Sequence, residues 1–151
     1  MKASILYVDD EANNLQSFVA NYRRYYNIFT TTSVDEAREI LKTEDILVVV
    51  SDQRMPKTTG VEFLESIIEP HPHIIRIILT GYTDVDAVID CINKGQVYRY
   101  VQKPWNEQDF RITLDKAIEL YNLRKENREL TEKLLVANQQ LEFIARQNLL
   151  S

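Results

Sequence analysis

The chain has 151 residues, 44% hydrophobic and 27% charged, with a net charge of −5, which is the balance of one ordinary domain with room for an appendage. The negative charge argues against non-specific nucleic-acid binding, which needs a basic surface, and no apolar run approaches the ~20 residues of a membrane span. Cys91 stands alone, which excludes an intrachain disulfide and a multi-cysteine zinc site; the start, Met1-Lys2-Ala3-Ser4, shows no signal peptide, so a reducing, cytoplasmic setting is expected.

The elements alternate along the chain. Ser4 to Val8 reads as a strand closed by Asp9-Asp10-Glu11. Asn13 to Tyr25 carries Leu15, Phe18, Val19 and Tyr22 at helical spacing. Asn27 to Thr31 is a short strand, and Ser33 with Glu36 three residues on forms a capping box for a helix to about Lys42. Ile46 to Ser51 is almost wholly apolar, as a strand covered on both faces is, and Asp52 closes it. The loop Pro56 to Gly60 leads to a helix through Val61, Phe63, Leu64, Ile67 and Ile68, ended by Pro70-His71-Pro72. A fourth strand, Ile74 to Leu79, is closed by Thr80-Gly81. Asp84 can cap the next helix, and Gly95 fits its stop. Val97 to Gln102 is the fifth strand, followed by Lys103-Pro104-Trp105, and Asn106 or a neighbour starts the last helix. Five such units without a hairpin signal imply an α/β fold, a doubly wound parallel sheet of five strands.

The last helix runs on past the domain. Leu120, Leu123, Asn127, Leu130, Leu134, Ala137, Leu141, Ile144 and Asn148 alternate spacings of three and four without Gly or Pro, a heptad seam over about four heptads. Asn127 at an a position favours a defined register in a two-stranded coil, and Glu119 at g can meet Arg124 at e of a parallel partner. The alternative is a long helix folded back on its own domain, but an extension of roughly 40 Å is hard to bury there. The expected division is residues 1–122 as the folded domain and 120–151 as a coiled-coil extension continuous with its last helix.

In an open parallel sheet the carboxyl ends of the strands share one edge, where ligands bind. Asp9, Asp10, Asp52, Thr80 and Lys103 all lie at such ends. Crowded carboxylates repel each other without a cation, and Mg²⁺ prefers oxygen ligands. A carboxylate can also be the nucleophile that forms an aspartyl phosphate, and Asp52, alone on the central strand, is the best candidate. Mg²⁺, Lys103 and the Thr80 hydroxyl suit the charge neutralisation that phosphoryl transfer needs.

The segments Ile5-Leu-Tyr-Val-Asp-Asp-Glu11, Ser51-Asp-Gln-Arg-Met-Pro56, Leu79-Thr-Gly81 and Lys103-Pro104 resemble the receiver domain of two-component response regulators, over about residues 3 to 122 and in order and spacing. The resemblance implies a flavodoxin-like sheet of order 2-1-3-4-5. It implies that Asp52 accepts phosphate from a sensor histidine kinase or phosphotransfer protein. Asp9, Asp10, Asp52 and the backbone carbonyl of Arg54 would bind Mg²⁺, and Thr80 and Lys103 the phosphoryl oxygens. Tyr100 would be the switch aromatic coupled to Thr80, while Pro56 and Gly60 shape the loop after the phosphorylation site. Arg54 and Tyr82, two residues after Asp52 and Thr80, would slow loss of phosphate by obstructing water. Activation would be a population shift in the face formed by helix four, strand five and helix five. The chain would be a signalling phosphoacceptor rather than an enzyme, and a parallel homodimer through its tail.

Two other readings stand beside this one. A phosphatase of the haloacid-dehalogenase type would use Asp9 as nucleophile and Glu11 as acid/base. Alternatively the chain is a receiver fragment of a longer regulator whose output domain follows, rather than a stand-alone receiver whose output is its coil. His71 and His73 read as a solvated turn, Cys91 as a buried small residue, Trp105 either as a residue shared with a subset of receivers or as a packing residue starting the last helix, and Tyr22, Tyr25 and Tyr26 with Arg23 and Arg24 as an amphipathic helix end rather than a nucleic-acid patch. Gly60, Gly81 and Gly95 are the only glycines, so no Gly-rich nucleotide loop is available.

Overall fold

Five strands pair in parallel in the order 2-1-3-4-5: β1 (Ser4–Val8), β2 (Asn27–Thr31), β3 (Val48–Asp52), β4 (Ile75–Thr80) and β5 (Arg99–Gln102). The computed structural model describes residues 2–150, and of Tyr82 the backbone alone. The helices are α1 (Ala12–Tyr22), α2 (Val34–Thr43), α3 (Gly60–Ser66), α4 (Val85–Asn93) and α5 (Glu107–Leu150), and a single 3-10 turn, Tyr82–Asp84, precedes α4.

Alternation along the strands divides the core into two layers. Ile5, Tyr7, Val48, Val50, Ile77 and Leu79 face α1 and α5, packing on Phe18, Tyr22, Phe110 and Leu114. Leu6, Val8, Val49 and Ile78 face the other helices, against Leu41, Phe63, Leu64 and Val88. With both faces covered, β3 is buried at every residue, as its apolar run requires. Truncating a ring such as the buried Phe110 to alanine removes about 3–5 kcal/mol in cores of this kind.

The strands reach further toward their carboxyl ends than the apolar pattern indicates. Asp52 pairs with Leu79 and Thr80 with Gln102, so both belong to the ladder rather than following it. Hydrogen bonding, not hydrophobicity, sets the strand end. Conversely β5 begins at Arg99 rather than Val97. α1 stops at Tyr22, three residues before the expected end, because the amides of Tyr25 and Tyr26 both turn back onto the Tyr22 carbonyl and bring the Tyr26 ring into the core.

The caps are partly as expected. Ser33 Oγ accepts from the Glu36 amide at 3.3 Å, but the Ser33 amide donates to Thr31 Oγ1, so the reciprocal half of the box is made by a strand threonine. Asp84 stands at the N-cap of α4 without capping it through its side chain, because Arg54 holds the carboxylate. Gly95 has φ of 74°, the left-handed residue that ends α4. Asn106 Oδ1 accepts from the Asp109 amide and opens α5.

α5 is one unbroken helix of 44 residues. Phe110, Leu114 and Ala117 anchor it to the sheet, and from residue 122 to 150 every residue is exposed. The helix does not fold back on the domain. Leu123, Leu130, Leu134, Leu141 and Ile144 of the seam are each more than half exposed.

Candidate functional site

The acidic pair lies just past β1, and the first turn of α1 wraps it. Asp9 is fully buried, and four donors reach its carboxylate. The Glu11 amide donates to Oδ1 at 3.0 Å. On Oδ2 converge the Tyr7 hydroxyl at 2.6 Å, Asn14 Nδ2 at 3.1 Å and Lys103 Nζ at 3.4 Å. A buried carboxylate is tolerated only with such partners. The Tyr7 hydroxyl is driven far above the usual phenol range by burial first, then by its bond to Asp9, so it acts here as a donor.

Asp52 ends the central strand and is 5% exposed. Lys103 Nζ stands 2.7 Å from its Oδ1. Burial raises the Asp52 carboxyl above its ordinary range; the Lys103 bond opposes this, and the charge of Asp9 adds to it. For Lys103 burial works against the charge, but Asp52 and Asp9 outweigh it and the ammonium is held above its ordinary value. Asp10 is exposed. One carboxylate oxygen from each of Asp9, Asp10 and Asp52 lies within 4.8 Å of the others. Three hard oxygen donors at that separation fit a small divalent cation that keeps several waters.

Lys103 is held in place by the sheet, since its amide donates to the Thr80 carbonyl at 2.9 Å, and its bond to Pro104 is cis. Thr80 is buried on the same edge, with its hydroxyl on the Gly81 carbonyl. Sequence therefore placed Asp9, Asp10, Asp52, Thr80 and Lys103 on one edge, and the fold brings the three carboxylates and the amine together. Tyr100 lies on β5 opposite Ile78 and is 39% exposed. The Arg54 side chain turns to the start of α4: Nε is 2.7 Å from Asp84 Oδ2 and Nη2 is 3.1 Å from Thr83 Oγ1. Asp84 is held below the usual carboxylate range by that bond. The Tyr82 side chain, paired with Arg54 in the sequence reading, lies outside the described residues.

Gly60 shapes the loop after Asp52 by absence of a side chain. A Cβ there would stand 2.1 Å from the Asp52 carbonyl oxygen and 2.5 Å from Ile78 Cδ1. The Gly60 amide donates to the Gln53 carbonyl and the Val61 amide to Gln53 Oε1, which ties α3 to the end of β3.

Tyr7 and Asn14 were missed in sequence. Tyr7 precedes Asp9 by two and so shares its face by the alternation of an extended chain; that signal was present. Trp105 packs edge-on to Tyr7, Phe18 and Phe110 and donates from Nε1 to Asn21. Tyr22 is buried and bonds the Glu107 carbonyl, while Arg111 lies 3.5 Å over the Tyr25 ring. These tyrosines tie α1 to α5 and form no open basic patch. Cys91 is buried, as expected. None of the described helices is long and apolar enough to cross a membrane.

Comparison with known proteins agrees with the geometry. The model of the response regulator receiver domain matches residues 5–115. The hydrogenase transcriptional regulatory protein HoxA of Cupriavidus necator is 34% identical over 150 residues, covering 99% of this chain and 31% of its own. A solved structure of an uncharacterized protein from Neptuniibacter caesariensis is 38% identical, with a TM-score of 0.79 over 83% of this chain and 93% of its own. An adenylate cyclase structure from Rhodopirellula baltica is 29% identical, with a TM-score of 0.84 over 88% and 99%. The chain spans 26% to 31% of the length of three of the curated relatives it matches. The haloacid-dehalogenase reading is set aside by the family match. With this sheet order, this acidic edge and these matches, the chain belongs to the receiver domain family of two-component response regulators.

Proposed function

We propose that the chain accepts a phosphoryl group on Asp52 from the phosphohistidine of a sensor kinase or phosphotransfer protein, in the cytoplasm. The observation that carries this is Lys103 Nζ at 2.7 Å from Asp52 Oδ1, inside a cluster of three carboxylates. An Asp52 oxygen forms the new P–O bond as the donor P–N bond breaks, and the electron pair leaves with the imidazole nitrogen. Lys103 and the Thr80 hydroxyl neutralise the phosphoryl oxygens, and Asp9, Asp10, Asp52 and the Arg54 carbonyl hold Mg²⁺. When bound, the cation supplies charge neutralisation and orientation for the incoming phosphoryl group. As a member of the receiver family, the chain acts as a phosphoacceptor with slow self-dephosphorylation rather than as an enzyme on a separate substrate.

The test is incorporation of phosphate from phosphoramidate in Mg²⁺, with the labelled residue identified by mass spectrometry. Label on Asp52, lost in Asp52→Asn, supports the reading. Label on Asp9 instead would sink it.

The output we propose is the tail. Residues 1–122 form the receiver, and 120–151 pair in parallel with a second copy through the heptad seam. The exposed leucines at a and d favour this, since stripes of that kind are buried in stable assemblies. Thr80 and Tyr100 would pass the phosphorylation state to the face of α4, β5 and α5, and α5 continues into the coil.

A further inference from the structure

Tyr7 sits fully buried in the sheet, among the aliphatic side chains of Ile5, Val48, Val50, Ile77 and Leu79 on its layer. An apolar residue would serve that layer as well, yet the ring ends in a hydroxyl 2.6 Å from Asp9 Oδ2. Phe18 at 4.7 Å and Trp105 at 6.3 Å between ring centroids hem the ring in, so the hydroxyl cannot swing elsewhere.

Lys103 stands between two carboxylates and leans on one. Its ammonium is 2.7 Å from Asp52 Oδ1 and 3.4 Å from Asp9 Oδ2. Asp9 is the more deeply buried of the two, and attraction for a cation grows as the surroundings become less polar. A bare Asp9 would therefore draw the ammonium to itself. Instead the ammonium keeps only its longer contact to Asp9 and sits closer to Asp52, while Oδ2 of Asp9 also accepts from Tyr7 and from Asn14.

We propose that Tyr7 is a positioning residue: its hydroxyl satisfies Asp9 Oδ2, so that Lys103 remains on Asp52, where phosphoryl transfer needs it. Tyr7 touches neither the phosphodonor nor Asp52 and acts through Asp9 and Lys103. This rests on Asp52 being the phosphoacceptor. With phosphoramidate as donor, an Asp52 oxygen forms a bond to phosphorus while the P–N bond breaks. The electron pair leaves on nitrogen, which takes a proton from water and departs as ammonia. Lys103 stays protonated and neutralises the phosphoryl oxygens.

The experiment measures two quantities on the whole chain and on Tyr7→Phe. One is the initial rate of labelling by phosphoramidate at saturating Mg²⁺. The other is the Mg²⁺ dissociation constant, read from the fluorescence of Trp105, the chain's single tryptophan. In Tyr7→Phe the rate falls about tenfold or more, the scale on which loss of a hydrogen-bond partner behind a ligating side chain acts. Mg²⁺ affinity holds or rises, because Asp9 has lost a donor and bears its charge more fully.

Asn14→Ala removes the other side-chain donor from Oδ2 at the partly exposed start of α1. It slows labelling in the same direction by a smaller factor and decides the matter if Tyr7→Phe does not fold. Folded Tyr7→Phe labelled at the wild-type rate overturns the proposal. So does a parallel loss of rate and Mg²⁺ affinity, which would mean general disruption of the site. Wild-type chain that takes no label on Asp52 removes the reading underneath; label on wild type with no effect in either variant removes only the role of Tyr7.

Discussion

Arg54 and Asp84 form a two-point ion pair, with Nε 2.7 Å from Oδ2 and Nη2 3.3 Å from Oδ1, and so join the loop after β3 to the first residue before α4. The pair leaves α4 without its side-chain cap. Arg54 follows the proposed phosphoacceptor by two residues, so its guanidinium is available to a phosphoryl group only if it releases Asp84.

Arg54→Ala is expected to free Asp84 to cap α4 and to leave overall stability nearly unchanged, since exposed ion pairs contribute little. Amide exchange in α4 should slow. On our proposal that Arg54, once released from Asp84, obstructs water at the acyl phosphate, phosphate on Asp52 should be lost severalfold faster in the variant. Following label release from the purified phosphoprotein checks this; an unchanged lifetime would assign Arg54 to α4 alone.

Mg²⁺ should raise the melting temperature of the wild-type chain. A ligand at a hundred times its dissociation constant adds about 2.7 kcal/mol to the folded state. Asp10→Asn removes the exposed member of the cluster and should abolish most of that gain without disturbing the core. Calorimetry with and without Mg²⁺ reads both.

Asp52→Asn should raise the melting temperature of the metal-free chain near neutral pH. The sign follows from the raised Asp52 carboxyl, caused first by burial. The folded chain binds this proton more tightly than the unfolded one, so wild-type stability rises as pH falls through the raised folded value toward the ordinary carboxylate value. The advantage of the variant is therefore full above that window and shrinks across it. Melting curves at several pH values in a chelator test this, and a gap that widens on acidification would contradict it.

Gly60→Ala places a methyl 2.1 Å from the Asp52 carbonyl oxygen. The Ile78 tip can move aside, but the clash with the Asp52 backbone cannot be relieved that way. A loss of about 1–3 kcal/mol is expected, with slower labelling because the end of β3 must shift. Urea denaturation gives the first and phosphoramidate kinetics the second.

Leu134→Glu puts a charge at an a position of the seam and should reduce the proposed dimer to monomer while labelling on Asp52 persists. Asn127→Leu should tighten association and relax its register. Light scattering, with Mg²⁺ alone and with beryllofluoride added, distinguishes a constitutive pair from one assembled by phosphorylation. A wild-type monomer in both conditions would remove the coil from the proposal.

The apolar runs, the acidic clusters after them and the heptad spacing of the tail were legible in the residues alone, because periodicity and strand-end placement are local properties of the chain. That is why the residues alone assign Asp9, Asp10, Asp52, Thr80 and Lys103 to one edge, although the strand order itself follows from the family resemblance. Contacts between residues far apart in the chain were not legible. No local pattern says that Arg54 takes Asp84 from its helix, that Tyr22 bonds the Glu107 carbonyl, or that β3 and β4 extend their ladders through Asp52 and Thr80. Nor does any say that Lys103, shared between two carboxylates, rests on Asp52. Those outcomes depend on which donors compete for one buried oxygen, and only the packed tertiary structure fixes that competition, through the distances at which desolvated charges meet.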